Sequence, residues 1–550
     1  MIKRNSKLFA LVAAFALTAC GGGGGGGGGD TGSSSTSSDA PSFVDVSGSV
    51  TFDSVPHNPL TLGLDFESTT IEPARGVVVQ AIDVNGAVID ETVTNGNGDY
   101  LLTVGVDTQV FIRARAELLS PAGSSSWEVA ITDNTNSNAL YVLDGQAFNS
   151  GDADVTRNLH AASGWDLSQM DYLDPRAAAP FAILDAIYEA IQAFVAIDST
   201  IQLPALEVRW SENNVPTGNG SATDLANGMI STSFYSPAQQ VIYILGGADQ
   251  DTDEYDSHVI VHEWGHYFED IMSRSDSLGG SHSINDRLDM RLAFSEGFGN
   301  ALSGIILNDS RYIDSLGVRQ LFGFQIDVER NDNVNIGWFN EGTVQSIIYD
   351  IFDGITVVPV GDPEASDEIS AGLAPIYEIL RSDEYVNSPL LTSLHLFLAE
   401  YKAVFPGDAD AIDRLAAGQD VTVNDAIATG ETNDGGNPVT LPVYMMLSQG
   451  QTADFCLIND FGPQNRLGNF RYILLEGLTA GNYTIRVDRI SGDPVTDPDL
   501  FILQSGNFVA AAQTGAANTE FWSGQLPSGN FVLNVFDFNR ADACYRVSFN

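Results

Sequence analysis

The secondary-structure pattern of this chain changes twice along its length, and these changes constrain the fold more than any other feature. Short β-branched runs separated by Asn-Gly turns fill residues 42–162. Apolar residues at helical spacing, with a few strand-like runs, dominate residues 163–440, and strand patterns return over residues 441–550. The pattern therefore predicts a multidomain fold in which an α+β domain is flanked by two all-β sandwich domains.

Length and composition indicate a large folded protein. The chain has 550 residues, of which 43% are hydrophobic and 17% are charged, so it has enough apolar surface for more than one core. Its 72 acidic residues outnumber its 24 basic residues, which gives a formal net charge of −48. Because phosphate binding needs clustered Lys and Arg, nucleic acid is not an expected partner. The acidity indicates a well-solvated surface.

Residues 1–19 have the pattern of an export signal. A basic start, MIKRNSK, precedes an apolar run from Leu8 to Leu17, and this run is far shorter than the ~20 residues that a membrane-spanning helix needs. The signal ends in LTAC, which resembles the lipobox of bacterial lipoproteins. The resemblance implies that Cys20 carries lipid and anchors the exported protein to the outer membrane or cell surface. An ordinary signal peptide with a chance cysteine is the alternative.

Residues 20–41 form a predicted tether between this anchor and the first folded domain. Nine consecutive glycines, Gly21 to Gly29, are followed by a Ser-rich stretch. Chains of this composition are flexible coils, so the tether is expected to hold the folded part away from the membrane.

Two further cysteines, Cys456 and Cys544, lie in the last predicted sandwich. An oxidising exported compartment favours a disulfide between them, and two buried free thiols are the alternative. Their spacing does not match a zinc site.

The segment SHVIVHEWGHYFED contains the pattern H-E-x-x-H at His262, Glu263 and His266. Residues four apart are neighbours on one helical face, so both imidazoles can reach one metal ion. Glu263 stands one position round from His262, where it can take a proton from an attacking water as general base. The pattern resembles the zincin metallopeptidases, and the preceding run QQVIYILGG is the expected strand edge for peptide binding. Histidines that only cap or pack a helix are the alternative.

The next helical pattern, AFSEGFGNALSG, supplies the expected third ligand. It resembles the second helix of the gluzincins, which donates a Glu to zinc and carries an acidic residue one turn later that orients a histidine. The resemblance implies that Glu296 is the ligand and that Asn300 is the orienting residue, which accepts from an imidazole N–H without carrying charge. A solvated carboxylate at a helix start is the alternative for Glu296, and Asp286 and Asp289 are the nearest upstream carboxylates.

The sequence does not identify the residue that stabilises the negatively charged oxygen of the transition state. Thermolysin-type gluzincins use a His or Tyr, and GWFNEGTVQ is loosely similar to the helix start that carries this His, but Trp338 and Phe339 stand in its place. Four other side chains are candidates, each with core packing as the alternative: Tyr267, Tyr349, His282 and His395. His258, one turn before the first ligand, is expected to lie beyond reach of the metal.

An alternation of oxygen donors precedes the H-E-x-x-H helix and is compatible with a Ca²⁺ ion. Its members are Asp249, Asp251, Asp253, Glu254 and Asp256. In so acidic a chain, a solvated acidic run beside a helix N-terminus is the alternative.

The flanking β regions resemble accessory modules of exported peptidases. The stretch NGAVIDETVTNGNGDYLLTV is similar to carboxypeptidase-regulatory-like sandwiches, and GLTAGNYTIRV with LPSGNFVLNVF is similar to pre-peptidase C-terminal sandwiches. With the zincin resemblance, they imply a metallopeptidase with Zn²⁺ as cofactor and a protein or peptide as substrate. Two alternatives stay open, namely a surface adhesion or binding protein with an inactive zincin core, and a zinc hydrolase of non-peptide substrates.

Overall fold

The computed structural model describes residues 42–331, 334–353 and 369–550. The predicted export signal, the tether and Cys20 lie outside the described residues. The described part of the chain is rich in β-strands, and every α-helix in it lies between Ala179 and Gly418.

The N-terminal region is built of strands, most of which form two sheets around a shared apolar core. The strands are β1 Phe43–Ser54, β2 Thr70–Pro73, β3 Val77–Asp83, β4 Val88–Val93, β5 Asp99–Gly105, β6 Gln109–Leu119, β7 Glu128–Asp133, β8 Ala139–Leu140, β9 Val142–Asp144, β10 Phe148–Asn149, β11 Val155–Thr156, β12 Leu159–Ala161, β13 Trp165–Asp166 and β14 Asp171–Tyr172.

The two sheets are formed by different sets of these strands. In the first sheet, β1 pairs antiparallel with β2 and β5 and parallel with β11 and β12. The second sheet contains β3, β4, β6 and β7, and β13 and β14 form a separate two-stranded sheet. Alternating burial along β6 is typical of a strand with one face on a core.

The second sheet continues into the middle of the chain. The next strands are β15 Leu206–Trp210, β16 Phe234–Ser236, β17 Val241–Ile244, β18 Gly246–Gly247 and β19 Asp251–Thr252. Because β15 pairs in parallel with both β7 and β17, the 10-stranded sheet runs in the order β16-β17-β15-β7-β6-β3-β4. The boundary predicted between residues 162 and 163 thus runs through one shared sheet and one shared core.

The edge of this sheet differs from the expected one. The run expected to form the peptide-binding edge is β17, but β16 pairs antiparallel with it and takes the edge position.

The helices follow the predicted apolar spacing, with one interruption. They are α1 Ala179–Ile197, α2 Ala222–Ala226, α3 Ser257–Met272, α4 Met290–Leu307, α5 Glu341–Asp353, α6 Leu373–Arg381, α7 Asp383–Val386, α8 Leu394–Val404 and α9 Ala409–Gly418. Between α4 and α5 lies an antiparallel hairpin, β20 Arg311–Leu316 and β21 Phe322–Asp327. The helical interpretation of this segment missed the hairpin, whose short strands carry little periodic signal.

Helix α1 connects the shared sheet to the helical region. It is the one helix among the described residues that is long and apolar enough, by length and composition only, to cross a membrane. Its apolar face is buried, however, and Phe194 stacks on Phe268 of α3 at a ring-centroid distance of 4.4 Å. Trp264 and Phe268 of α3 are fully buried against it, so α1 is a core helix that fixes α3.

Two glycines allow α4 to lie close to its neighbouring helices. A Cβ on Gly299 would stand 2.9 Å from the ring of His262 in α3, and a Cβ on Gly297 would stand 2.6 Å from the carbonyl oxygen of Glu341 in α5. Any side chain at either position would force the helices apart. The glycines of SEGFGN therefore bring the polar residues of α4 within reach of the α3 histidines.

The C-terminal region is all-β, as its sequence pattern predicts. Its strands are β22 Tyr444–Met446, β23 Gln451–Leu457, β24 Phe470–Leu478, β25 Gly481–Gly492, β26 Pro498–Gln504, β27 Asn507–Ala512, β28 Thr519–Leu526, β29 Gly529–Asp537 and β30 Ala543–Phe549. They form two sheets, β22-β24-β29-β26-β27 and β23-β30-β25-β28, over a separate apolar core. Cys456 and Cys544 are opposite each other on β23 and β30 and are joined by a disulfide.

Candidate metal centre

Three side chains from α3 and α4 converge on one point. Nε2 of His262 lies 3.0 Å from Nε2 of His266, and Oε2 of Glu296 lies 3.2 Å from the first and 3.3 Å from the second. The histidines share one face of α3 because they are four residues apart. Glu296 reaches them from α4, which crosses at close range.

The geometry of this triad fits a tetrahedral zinc ion. Zinc ligands at 2.0–2.1 Å stand ~3.4 Å apart along the edges of a tetrahedron, and the three distances in the triad are 3.0, 3.2 and 3.3 Å. Two imidazoles and one carboxylate are also the donor types that catalytic zinc sites use while leaving one position open. His262, His266 and Glu296 are therefore the residues that could hold the ion.

Hydrogen bonds from a second layer of residues fix both imidazoles. Nδ1 of His262 lies 2.9 Å from Oδ1 of Asn300, and the Asn300 amide donates to Oε1 of Gln345 at 3.0 Å. Because Asn300 can accept at this oxygen, Nδ1 of His262 carries the proton and Nε2 is free to bind a metal. The structure thus gives Asn300 the contact that the sequence predicts for an orienting residue.

The second imidazole is oriented from the first turns of α4. Ser295 Oγ lies 3.2 Å from Nδ1 of His266 and donates to Glu269 Oε2 at 2.5 Å. Glu269 has no exposed side-chain surface, so its carboxylate is a strong acceptor in a dry environment. Neither Ser295 nor Glu269 is predicted from the sequence, because neither belongs to a recognised spacing.

Opposite charges inside the site outweigh the effect of burial. Burial opposes ionisation of Glu296, but His266 and His282 hold its pKa well below the usual range. Burial likewise opposes protonation of His266, but Glu296 and Glu269 raise its pKa well above the usual value. The carboxylate of Glu296 is thus stabilised by a positive charge beside it, and a metal ion bound in exchange for the proton of His266 would supply that charge.

Glu263 stands beside the edge of the 10-stranded sheet. Its Oε2 accepts a hydrogen bond of 2.7 Å from the backbone N–H of Tyr235 in β16. The Tyr235 hydroxyl donates to Asp270 at 2.8 Å, which ties the edge strand to α3 at a second point. Glu263 is thus held between the strand edge and the two histidines of its own helix.

His282 is the one candidate for the oxyanion-stabilising residue that lies at the triad. Its Nε2 is 3.2 Å from Oε2 of Glu296, and its Nδ1 is 2.8 Å from Oε2 of the buried Glu341 at the start of α5. Burial lowers the pKa of His282, but Glu296 and Glu341 outweigh this and raise it to about 9. The segment GWFNEGTVQ therefore contributes Glu341 to the site, where Glu341 pairs with His282 from the loop between α3 and α4.

The C-terminal sandwich holds the loop that carries His282. Asn465 Nδ2 donates to the carbonyl oxygen of Gly279 at 2.9 Å. Arg466 donates to the carbonyl oxygen of Ser281 at 2.8 Å and forms an ion pair of 3.0 Å with Asp286. This contact between the sandwich and the loop could not be read from the sequence, since the partners are far apart along the chain.

The remaining candidates from the sequence have other partners. His258 is bonded to the carbonyl oxygen of Asp309, Tyr267 donates to that of Pro204, and His395 pairs with Glu431. The other two possible ligands are also engaged elsewhere. Asp286 forms an ion pair with Arg466, and Asp289 forms an ion pair with Arg291 and accepts a hydrogen bond from Tyr472. Tyr349 packs on Phe352, and Trp338 packs on Phe339.

One aromatic residue near the triad was not among the candidates from the sequence. The ring centroid of Tyr312, in β20, lies 6.1 Å from that of His262.

The acidic run before α3 is only partly brought together. Glu254 pairs with Arg176, Asp256 bonds to His57 and Ser315, and Asp249 accepts from the backbone of Arg319. Asp251 and Asp253 instead converge with Asp314, which the sequence analysis did not include.

Comparison with known proteins gives one informative match. A family model described as the Mycolysin C-terminal domain matches residues 207–362, a segment that contains the whole triad. A search of curated proteins found no match. This match hints at a domain that is associated with secreted metallopeptidases.

Two of the matching solved structures cover 20% of the chain. The pre-peptidase C-terminal domain of a collagenase from Bacillus anthracis is 17% identical over 20% of this chain and 94% of that chain, with a TM-score of 0.16. CorA, a surface-associated copper-binding protein of Methylomicrobium album, is 6% identical over 20% of this chain and 98% of that chain, with a TM-score of 0.15. Scores this low do not identify the fold.

Proposed function

We propose that this chain is an exported zinc-dependent peptidase whose metal is held by His262, His266 and Glu296. The observation that carries the proposal is the triangle of 3.0, 3.2 and 3.3 Å between their donor atoms, which lies beside the general base Glu263. The family match over residues 207–362 supports a peptidase-related function independently of this geometry.

Glu263 moves the proton in the proposed reaction. A zinc ion held by the triad would supply Lewis-acid chemistry, which would make water a stronger acid and polarise the scissile carbonyl group. Glu263 takes the proton of the attacking water and passes it to the leaving amine. Because the N–H of Tyr235 holds one of its oxygens at 2.7 Å, the carboxylate keeps its orientation during both transfers.

His282 is the proposed group that stabilises the negative charge on the carbonyl oxygen. In the protonated imidazole, Nδ1–H donates to Glu341 at 2.8 Å. Nε2 lies 3.2 Å from Oε2 of Glu296, and when that carboxylate binds zinc, Nε2–H would be available to donate to the developing oxyanion. Glu341 thereby acts as the positioning residue that fixes the ring. Tyr267, Tyr349 and His395 are not assigned this role because they have partners elsewhere in the core.

The proposed substrate is a peptide in extended conformation. Strand β16 is the edge of its sheet, and the outward backbone N–H of Tyr235 faces Glu263. A peptide that runs beside this edge would bring its scissile bond to the general base. The proposed location is outside the cytoplasm, where lipid on Cys20 and the tether of residues 20–41 would attach the enzyme to a bacterial membrane.

Metal content and proteolysis together test the proposal. The purified protein should contain one zinc ion per chain and hydrolyse an unfolded protein such as reduced casein, and a chelator should abolish hydrolysis until Zn²⁺ is restored. His266→Ala should lose both properties, whereas His258→Gln, on the same helix and outside the triad, should keep both. Bound zinc without hydrolysis would support the surface-binding alternative, and absence of zinc would refute the proposal.

A further inference from the structure

A second group of carboxylates, separate from the zinc triad, converges near the start of α3. One carboxylate oxygen from each of Asp251, Asp253 and Asp314 lies within 4.8 Å of the other two. Asp251 belongs to β19, Asp253 follows that strand, and Asp314 comes from β20. The group is therefore built by two adjacent strands of one sheet rather than by a single acidic run.

One oxygen of each carboxylate is buried without a hydrogen-bond partner among the described residues. Asp253 is only 3% exposed, and its Oδ1 has no hydrogen-bond partner among the described residues. The same is true of the buried Oδ1 atoms of Asp251 and Asp314 in the described part of the chain. Uncompensated buried oxygens are strongly destabilising, so the arrangement needs a positive species to balance it.

The charges around the group increase this need. Asp256, the N-cap residue of α3, follows Asp253 by three positions and adds a further fully buried carboxylate to this part of the fold. Carboxylates packed this closely repel one another unless a proton or a cation lies between them.

We propose that Asp251, Asp253 and Asp314 bind one Ca²⁺ ion. The donors are all oxygen atoms, which hard cations prefer, whereas zinc in proteins is bound mainly by nitrogen and sulfur. Asp251 and Asp314 are only half-buried, which leaves room for the waters that would complete six to eight ligands around calcium. The inference does not depend on the proposed peptidase activity.

The ion would stabilise the part of the fold that carries the general base. Asp253 accepts a hydrogen bond from the hydroxyl of Ser233, which lies two residues before Tyr235, the partner of Glu263. On the other side, the neighbour of Asp314, Ser315, donates to the N-cap residue of α3, Asp256, at 2.9 Å. Calcium would thus join β16, β20 and the start of α3 through short hydrogen-bonded links.

Calcium titration of the full-length protein tests this inference. The protein is stripped of metal, the chelator is removed, one equivalent of Zn²⁺ is restored, and CaCl₂ or MgCl₂ is added at constant ionic strength. Calorimetry should give one Ca²⁺ per chain, and Tm should rise by ~5 °C when calcium exceeds its Kd about a hundredfold. Mg²⁺ should raise Tm less, since it requires a stricter octahedral geometry.

Two isosteric variants separate a specific site from general screening of the charge of −48. Asp314→Asn should abolish the calcium response, and without calcium its Tm should equal or exceed that of the wild type because one of three mutually repelling carboxylates is gone. Asp249→Asn, in the same acidic run but outside the group, should respond like the wild type. If Asp314→Asn fails to fold, Asp251→Asn provides the same comparison.

Two outcomes would overturn the proposal. One is the absence of any calcium effect on Tm up to ~10 mM, a concentration above the range of extracellular sites. The other is a calcium response of Asp314→Asn or Asp251→Asn that equals that of the wild type.

Discussion

Replacing Glu263 with glutamine isolates proton transfer from metal binding and from folding. Glu263 is 8% exposed, and the contact that the structure gives its carboxylate is the 2.7 Å hydrogen bond from the backbone N–H of Tyr235. Glutamine has the same shape and keeps an oxygen that can accept this bond. The substitution therefore removes the basic group while leaving the local packing and the three proposed zinc ligands intact.

The expected loss can be estimated from acid–base catalysis. Removal of a positioned general base lowers turnover by ~10²–10⁴-fold, which corresponds to ~2.7–5.5 kcal/mol in the activation barrier. The structural change is the exchange of a charge-assisted hydrogen bond for a neutral one, which costs about 1 kcal/mol of stability. The Tm should consequently fall by no more than ~3 °C.

The assay combines three measurements on the same preparation, namely bound zinc after dialysis against a weak chelator, turnover of a quenched fluorescent peptide, and Tm. Glu263→Gln should keep stoichiometric zinc and lose turnover. Glu296→Ala is the matched comparison, because it removes a proposed ligand at 3.2 Å from His262 and should lose zinc and turnover together. Turnover within tenfold of the wild type, or zinc lost along with turnover in Glu263→Gln, would refute the assigned role of Glu263.

Three further substitutions test the supporting residues and the anchor. Asn300→Ala removes the acceptor at 2.9 Å from a ligand imidazole and should weaken zinc binding ~10–100-fold, as measured by competition with a chromogenic chelator; unchanged affinity would exclude an orienting role. Arg466→Ala frees the loop of His282 and should lower kcat about tenfold at constant zinc content, whereas Arg489→Ala, whose bonds stay within the sandwich, should not; equal effects would contradict the positioning role. Cys20→Ser should move the protein from the membrane fraction to the soluble fraction, and unchanged fractionation would rule out the lipid anchor.

Local patterns explain most of what could be predicted about the triad. The i, i+4 spacing of His262 and His266 places both rings on one face of a helix wherever that helix lies. The same periodicity makes Glu296 and Asn300 neighbours on α4, and the two glycines between them, Gly297 and Gly299, allow the helix to approach its neighbours closely. The two i, i+4 pairs depend on the geometry of a single helix, and the close approach of α4 depends on glycines at known positions. Both can therefore be predicted from the sequence.

The tertiary structure decided which separate segments meet at each site. His282 and Glu341 come from a loop and a helix start that share no spacing, and Asp314 joins Asp251 only because β20 lies in the same sheet as β19. The shared sheet across residue 162 likewise depends on the pairing of β7 with β15. The sequence by itself determined the placement of the two histidines and of the proposed base on one helix, and the amphipathic helices, because these follow from periodicity within one element. Contacts between distant elements depend on how all of the elements pack together, and no local pattern records that packing.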